Sequence, residues 1–122
     1  DTGLSLSITP TLNTSKILVL ISQPLTLSRG DSNAYAEIQV LRGATNIYQG
    51  GANNGLGNIG MSGPATIYIQ GIYSLSYLDS PATTSSTTYK VQARVYETTF
   101  SGQVIAQKYS SKASITLLEI GA

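Results

Sequence analysis

From Thr87 to Tyr96 the chain alternates with a period of two, and this constrains its fold more than any other feature. Tyr89, Val91, Ala93 and Val95 fall on one side, and Lys90, Gln92, Arg94 and Tyr96 on the other. Successive side chains of an extended chain point to opposite faces, whereas a helix would scatter this pattern around its circumference. The segment therefore reads as a strand with one buried face. Just upstream, Tyr77 and Leu78 run into Asp79-Ser80-Pro81, where an Asp side chain can cap its own backbone and Pro presets φ for a turn. A connection of Ser and Thr joins the two.

The rest of the chain repeats this short-strand pattern between Gly, Pro, Asn and Ser clusters, with little helical periodicity. Leu4, Leu6 and Ile8 alternate with Ser5 and Ser7 in a first strand that Thr9-Pro10 ends. Lys16 to Ser22 is nearly all apolar and reads as a central strand covered on both faces and closed by Pro24. Ala34 to Arg42 places Ala36, Ile38 and Val40 on one face, and Arg42-Gly43 turns it into a hairpin partner at Ala44 to Tyr48. Thr66 to Leu78 gives one or two strands, split near Gly71, with Ile67, Ile69, Tyr73, Leu75 and Tyr77 inward. Val104 to Tyr109 and Ser114 to Ile120 complete an all-β, antiparallel β-sandwich of eight or nine strands, whose hairpins and long crossings point to a jelly roll. An apolar final strand this near a terminus, where chains usually fray, is explained by a place inside the sheet or by cover from neighbouring copies; the first explanation is preferred.

Length and composition agree with one domain spanning residues 1–122. A chain of 122 residues with 41% apolar side chains can bury a core. It has no cysteine, so disulfides and thiolate metal sites contribute nothing. Only 11% of residues are charged, against roughly 25% in ordinary domains, and Ser with Thr supply about a quarter. So sparse a charge offers weak protection against self-association, and subunit contacts are the expected use of such a surface. The seven basic residues are scattered without a run, which argues against nucleic acid as a partner. The longest apolar run, Ile17 to Ile21, falls far short of the roughly 20 residues that a membrane-spanning helix needs. A chain beginning at Asp1 with no basic and apolar leader is expected to be a fragment or processed product.

Histidine is also absent, so Ser-His-Asp and Cys-His relays and imidazole-ligated zinc are excluded. Carboxylate chemistry remains, with Asp1, Asp31, Glu37, Asp79, Glu97 and Glu119 as its only candidates. Glu37, Glu97 and Glu119 are expected at solvent-facing or salt-bridged strand positions, and Asp79 at the start of a turn. Arg29-Gly30-Asp31 matches an adhesion triplet by letter, but Gly-Asp before a strand is an ordinary turn. No residue is assigned a catalytic role, the chain is expected not to be an enzyme, and no cofactor is expected.

The segment QGGANNGLGNIGMSG, Gln49 to Gly63, is the most loop-like. Its glycines suit a solvated connection, whose length is tolerated because loop closure costs grow slowly. It equally suits a recognition loop in which Asn53, Asn54 and Asn58, with Tyr48 beside them, offer donors and acceptors to sugar hydroxyls. Those four residues are the candidate ligand-binding set. Eight tyrosines against one Phe and no Trp add amphipathic rings that suit interfaces. Tyr73, Tyr77 and Tyr89 are expected in the core or its rim. Tyr35, Tyr48, Tyr96 and Tyr109 are open to subunit contact.

Five segments, DTGLSLSITP, SKILVLIS, VLRGAT, LDSPATTSSTTYKVQ and SITLLEIGA, together resemble a family of β domains at the C-terminal ends of bacteriophage tail-fibre and related virion proteins. The resemblance spans nearly the whole chain in order, is most specific in LDSPATTSSTTYKVQ, and is absent from Gln49 to Gly63. It implies a jelly roll of the tumour-necrosis-factor-like kind and a homotrimer at the virion surface, either a tail-fibre tip binding a host glycan or protein, or a capsid decoration contacting other virion proteins. It supplies no catalytic residue.

Overall fold

The computed structural model describes residues 1–29, 34–50, 57–59, 67–97 and 102–121, the side chains at 29, 34, 35, 57–59, 67, 96 and 97 excepted. Asp31, Asn53 and Asn54 lie outside the described residues, as does most of the Gln49 to Gly63 segment.

Among the described residues nine strands follow in chain order: β1 (Ser5–Ile8), β2 (Lys16–Arg29), β3 (Ala34–Arg42), β4 (Thr45–Gln49), β5 (Gly57–Ile59), β6 (Ile67–Asp79), β7 (Thr87–Glu97), β8 (Gln103–Ala106) and β9 (Ser114–Ile120). They form two antiparallel sheets. The first runs β1-β7-β3-β4, with β5 also paired to β3; the second runs β6-β2-β8, with β9 also on β2. The pairs are nested, since β3 with β4 sits inside β2 with β6, and that pair sits inside β1 with β7. Successive nested pairs alternate between the two sheets.

Alternation places most of the core where the sequence pattern expects it, although Ile69, paired with the buried Leu27, is 45% exposed. Ile17, Val19, Ile21, Leu25 and Tyr73 from the second sheet meet Ile38, Val40, Tyr89 and Val91 from the first in one buried cluster. Ile115 and Leu117 pack against that cluster from β9 while Leu118 and Ile120 stay exposed, so β9 belongs to the sheet and still shows half its apolar residues.

β2 departs from its expected form in two ways. It does not stop at Pro24 but continues to Arg29, and from Lys16 to Ser22 only one of its faces is buried, Leu18 and Leu20 being partly exposed, whereas Thr26 and Ser28 are buried together with Leu25 and Leu27. Pro24 is accommodated because of where it falls. On one side β9 pairs with Lys16 through Ser22 and β8 with Leu25 through Ser28, which leaves Gln23 and Pro24 unpaired there. The carbonyl of Pro24 accepts from Gln107 N on that side, at 3.1 Å. In an antiparallel strand the N and C=O of one residue point the same way, so the missing N–H of Pro24 faces the gap between two partners and costs no ladder bond. β6 is likewise unbroken: Gly71 pairs with Leu25 inside one strand of 13 residues.

A polar lock closes one end of the sandwich. Arg42 ends β3 and Asp79 ends β6, on opposite sheets, and the Arg42 guanidinium donates to both Asp79 oxygens at 2.9 Å and to the Ser80 carbonyl at 3.1 Å. Tyr89, paired with Arg42 in register, donates its hydroxyl to the same carboxylate. Asp79 thus does more than begin the turn assigned to it. At the same end Gly43 turns the β3-β4 hairpin with φ of 58°, a conformation that glycine adopts without strain.

Candidate functional site

The outer face of the first sheet carries a continuous band of polar side chains. Glu37 and Gln39 of β3 stand directly opposite Arg94 and Gln92 of β7, and paired residues of an antiparallel ladder share a face. Arg94 Nε donates to Glu37 Oε2. Gln39 Nε2 donates to Gln92 Oε1 in the next rung, and Gln92 Nε2 passes the chain on to Asp1 Oδ1. Asp1 is held there because Thr2 is latched to β7, its N and Oγ1 both donating to the Val91 carbonyl at 3.1 and 3.0 Å.

A bulge extends the band onto β4. The register between β3 and β4 shifts between Val40 and Leu41, so Val40 pairs with Tyr48 but Leu41 pairs with Asn46. In a regular strand Asn46 and Gln49 would point to opposite faces; the extra residue turns both outward. Asn46 Nδ2 then donates to Gln39 Oε1 at 2.9 Å and to Gln49 Oε1 at 3.2 Å. Asp1, Glu37, Gln39, Gln49, Gln92 and Arg94 border a trough of about 310 Å³.

The trough is lined by hydrogen-bonding groups. Each amide brings donors and an acceptor, and the network orients them. Glu37 is buried at 2% side-chain exposure beneath Arg94 at 61%, so the ion pair forms the floor of the trough and an exposed rim. Two carboxylates border it, but each already accepts from a neighbour, Asp1 from Gln92 and Glu37 from Arg94. The arrangement can hold hydroxyls and amides of a neutral ligand by hydrogen bonds.

Of the four residues proposed from sequence, Asn53 and Asn54 lie outside the described residues. Asn58 sits on β5 opposite Tyr35, two positions along β3 from Glu37. Tyr48 pairs with Val40 on the inner side of β4 and packs against the core, its ring 5.9 Å from that of Tyr77. The described structure does not bring them together. Of the three strand glutamates, Glu37 is salt-bridged as expected, and the Glu97 side chain lies outside the described residues. Glu119 accepts from Thr11 N and Oγ1, both at 2.7 Å. Sequence reasoning missed the Gln39, Gln92, Asn46 and Gln49 constellation. Its one available signal was that the polar faces of β3 and β7 both carry amides, which becomes a site only once the register is known.

Among the described residues no group of three His, Cys, Asp or Glu is placed to hold a metal ion, and no helix is long and apolar enough to cross a membrane. No family model matches the chain, and no curated protein or solved structure matches it.

Proposed function

We propose that this chain is a non-enzymatic recognition and assembly domain of a bacteriophage virion, a jelly roll that associates with copies of itself and presents its loops and polar faces to a host surface. The observation that carries the reading is the outer face of the second sheet. Leu18, Leu78 and Leu118 form one cross-strand row there, with Leu78 and Leu118 nearly half exposed and Ile120 beside them. The next rows are Ser76, Leu20 and Thr116, then Ser74, Ser22 and Ser114. No carboxylate points outward from these strands, because Asp79 and Glu119 share the inward register of Ile17. A leucine row set in a hydroxyl surface, with Lys16 opposite Ile120 as its neighbouring charge, is what a subunit contact requires: apolar area at the centre and polar atoms that tolerate burial around it.

Two further features support the reading. Nested strand pairs that alternate between two sheets arise when one long antiparallel hairpin is rolled up, which is how a jelly roll is built. The segment with the most specific resemblance to virion domains, LDSPATTSSTTYKVQ, contributes Asp79 and Tyr89 to the lock between the sheets. In a trimer three weak sites reinforce one another through high effective concentration, which suits a trough built for modest hydrogen-bonding affinity.

The test uses the purified chain, labelled, with its mass in solution measured first. The expected result is an oligomer that binds a subset of a panel of bacterial strains saturably and is displaced by unlabelled protein. An oligomer that binds none of the panel but locks onto assembled capsids moves the assignment to particle decoration. A persistent monomer with no binding overturns the proposal.

A further inference from the structure

A second concave surface lies on the outer face of the second sheet, at the opposite end from the leucine row. It is a groove of about 330 Å³ bordered by Pro24, Thr26, Gln70, Ile72, Lys108 and Tyr109. Its size is at the lower end of the about 300–1,000 Å³ of small-molecule sites. Two exposed aromatic rings bracket a cation at its edge, the Lys108 ammonium standing 4.5 Å from the ring centre of Tyr68 and 4.9 Å from that of Tyr109. Tyr68 is 58% exposed and Tyr109 79%. From this arrangement we infer that the groove binds a saccharide bearing a carboxylate, its ring stacked on the tyrosines and its acid group on Lys108.

The backbone holds this clamp in an unusual state. Gln107, Tyr109 and Ser110 have φ of 55°, 58° and 60°, a left-handed conformation that each non-glycine residue adopts at a cost. The turn is tied down on both sides of the lysine, by Gln107 N donating to the Pro24 carbonyl at 3.1 Å and by Ser111 N and Oγ donating to the Lys108 carbonyl at 3.3 and 2.9 Å. In this conformation the turn carries the Tyr109 ring and the Lys108 ammonium together at the groove.

The ligand class follows from the lining. Tyrosine faces favour the apolar C–H face of a sugar ring, the Gln70 amide and the Ser111 hydroxyl can meet its hydroxyls, and a cation held between two rings keeps its charge for an anion. Among the described residues none lining the groove is acidic, so none of their carboxylates competes for Lys108 there. Among the described residues Lys108 is also the only cation in that lining. One positive charge matches one carboxylate per ligand unit, whereas a nucleic acid would ask for a series of them.

This assignment deepens the receptor-binding reading and rests on it. The probes are sialyllactose, an oligosaccharide containing glucuronate, and neutral lactose, each titrated into the intact protein by ligand-observed NMR. The expected result is binding of at least one acidic probe, weakened roughly tenfold or more in Lys108→Gln and lost in Tyr109→Ala. Lactose is expected to bind much more weakly. Tyr68→Ala stands in if Tyr109→Ala misfolds. Equal binding of lactose and the acidic sugars, or binding unchanged in Lys108→Gln, would overturn the assignment, and so would no binding of either acidic probe. Bacterial adsorption measured on the same variant separates the two levels: saturable adsorption unaffected by Lys108→Gln leaves the receptor reading standing and removes this site. Acidic-sugar binding without adsorption does the reverse.

Discussion

The Tyr89 hydroxyl donates a 2.7 Å hydrogen bond to the Asp79 carboxylate, joining the two sheets at a point where the Tyr89 side chain is fully buried. Arg42 completes the triad from the end of β3, with 27% of its side chain still in contact with solvent. The lock therefore combines a buried acceptor, a buried donor and a cation that keeps part of its hydration.

Removing the acceptor costs more than removing either donor. Asp79→Ala leaves the Arg42 guanidinium and the Tyr89 hydroxyl without their shared partner, and it is expected to lower stability by about 3 kcal/mol. Tyr89→Phe removes one hydrogen bond and leaves the Asp79 to Arg42 pair in place, for about 1–2 kcal/mol. Urea denaturation of both variants checks the order, and an Asp79→Ala loss no larger than that of Tyr89→Phe would contradict it.

Tyr89 also sets an alkaline limit. Burial, and then the hydrogen bond to Asp79, push its pKa well above the ordinary 10.0. The folded chain thus holds the protonated phenol, so this contribution is fully present below pH 10.0 and is lost as pH rises beyond it. The stability advantage of the wild type over Tyr89→Phe is expected to shrink above that pH by up to about 1.4 kcal/mol per pH unit. A pH series of thermal melts on the pair reads it directly.

Glu119 gives the opposite sign at the acid end. The neighbouring Ser15 hydroxyl, followed by the hydroxyl and N–H of Thr11, lowers its pKa below the ordinary 4.5. Such a group stabilises the fold above its unfolded value, and the contribution disappears as pH falls through the folded one. Glu119→Gln is expected to melt earlier than the wild type at neutral pH, with the two curves converging in acid. A gap that persists unchanged into strong acid would place its origin elsewhere.

Gln23 points between the sheets at 0% exposure, with its Nε2 donating to the Pro24 carbonyl at 3.0 Å and its Oε1 lacking a protein partner. The Pro24 carbonyl keeps its bond from Gln107 if the amide is removed. Gln23→Met, similar in length and free of the unmatched oxygen, is expected to hold or raise stability by about 1 kcal/mol. Guanidinium midpoints decide it.

The leucine row makes a prediction about assembly. Leu118→Glu puts a carboxylate into the middle of the leucine row without touching the inward Ile115 and Leu117. It is expected to shift the oligomer to monomer in analytical ultracentrifugation while leaving the β circular dichroism spectrum intact. Ser114→Glu, at the far end of β9, is expected to have the smaller effect.

Much of the strand pattern was legible because alternation is local. The buried faces of β3 and β7 can be read from Ala36, Ile38 and Val40 and from Tyr89 and Val91 in one dimension, since the pleat alone dictates which side each residue takes. Pro24 misled for the same reason: a proline within an apolar run locally signals an end, and only the gap between β8 and β9 makes it harmless. The trough depends on partners up to 91 residues apart, as Gln92 is from Asp1. No spacing rule anticipates the bulge that turns Asn46 and Gln49 to the same face. Asn58 and Tyr48, chosen for chemistry and proximity in the chain, were separated by the pairing of their strands.

What the amino-acid order determined by itself is the extended conformation and its inward side at most strands, because both follow from neighbours two residues away. Tertiary structure alone decided which strands became partners, and with that the Asp79 lock, the amide trough and the tyrosine clamp. Each brings together side chains from segments distant in the chain, and register and sheet packing, being long-range contacts, have no signature in local sequence.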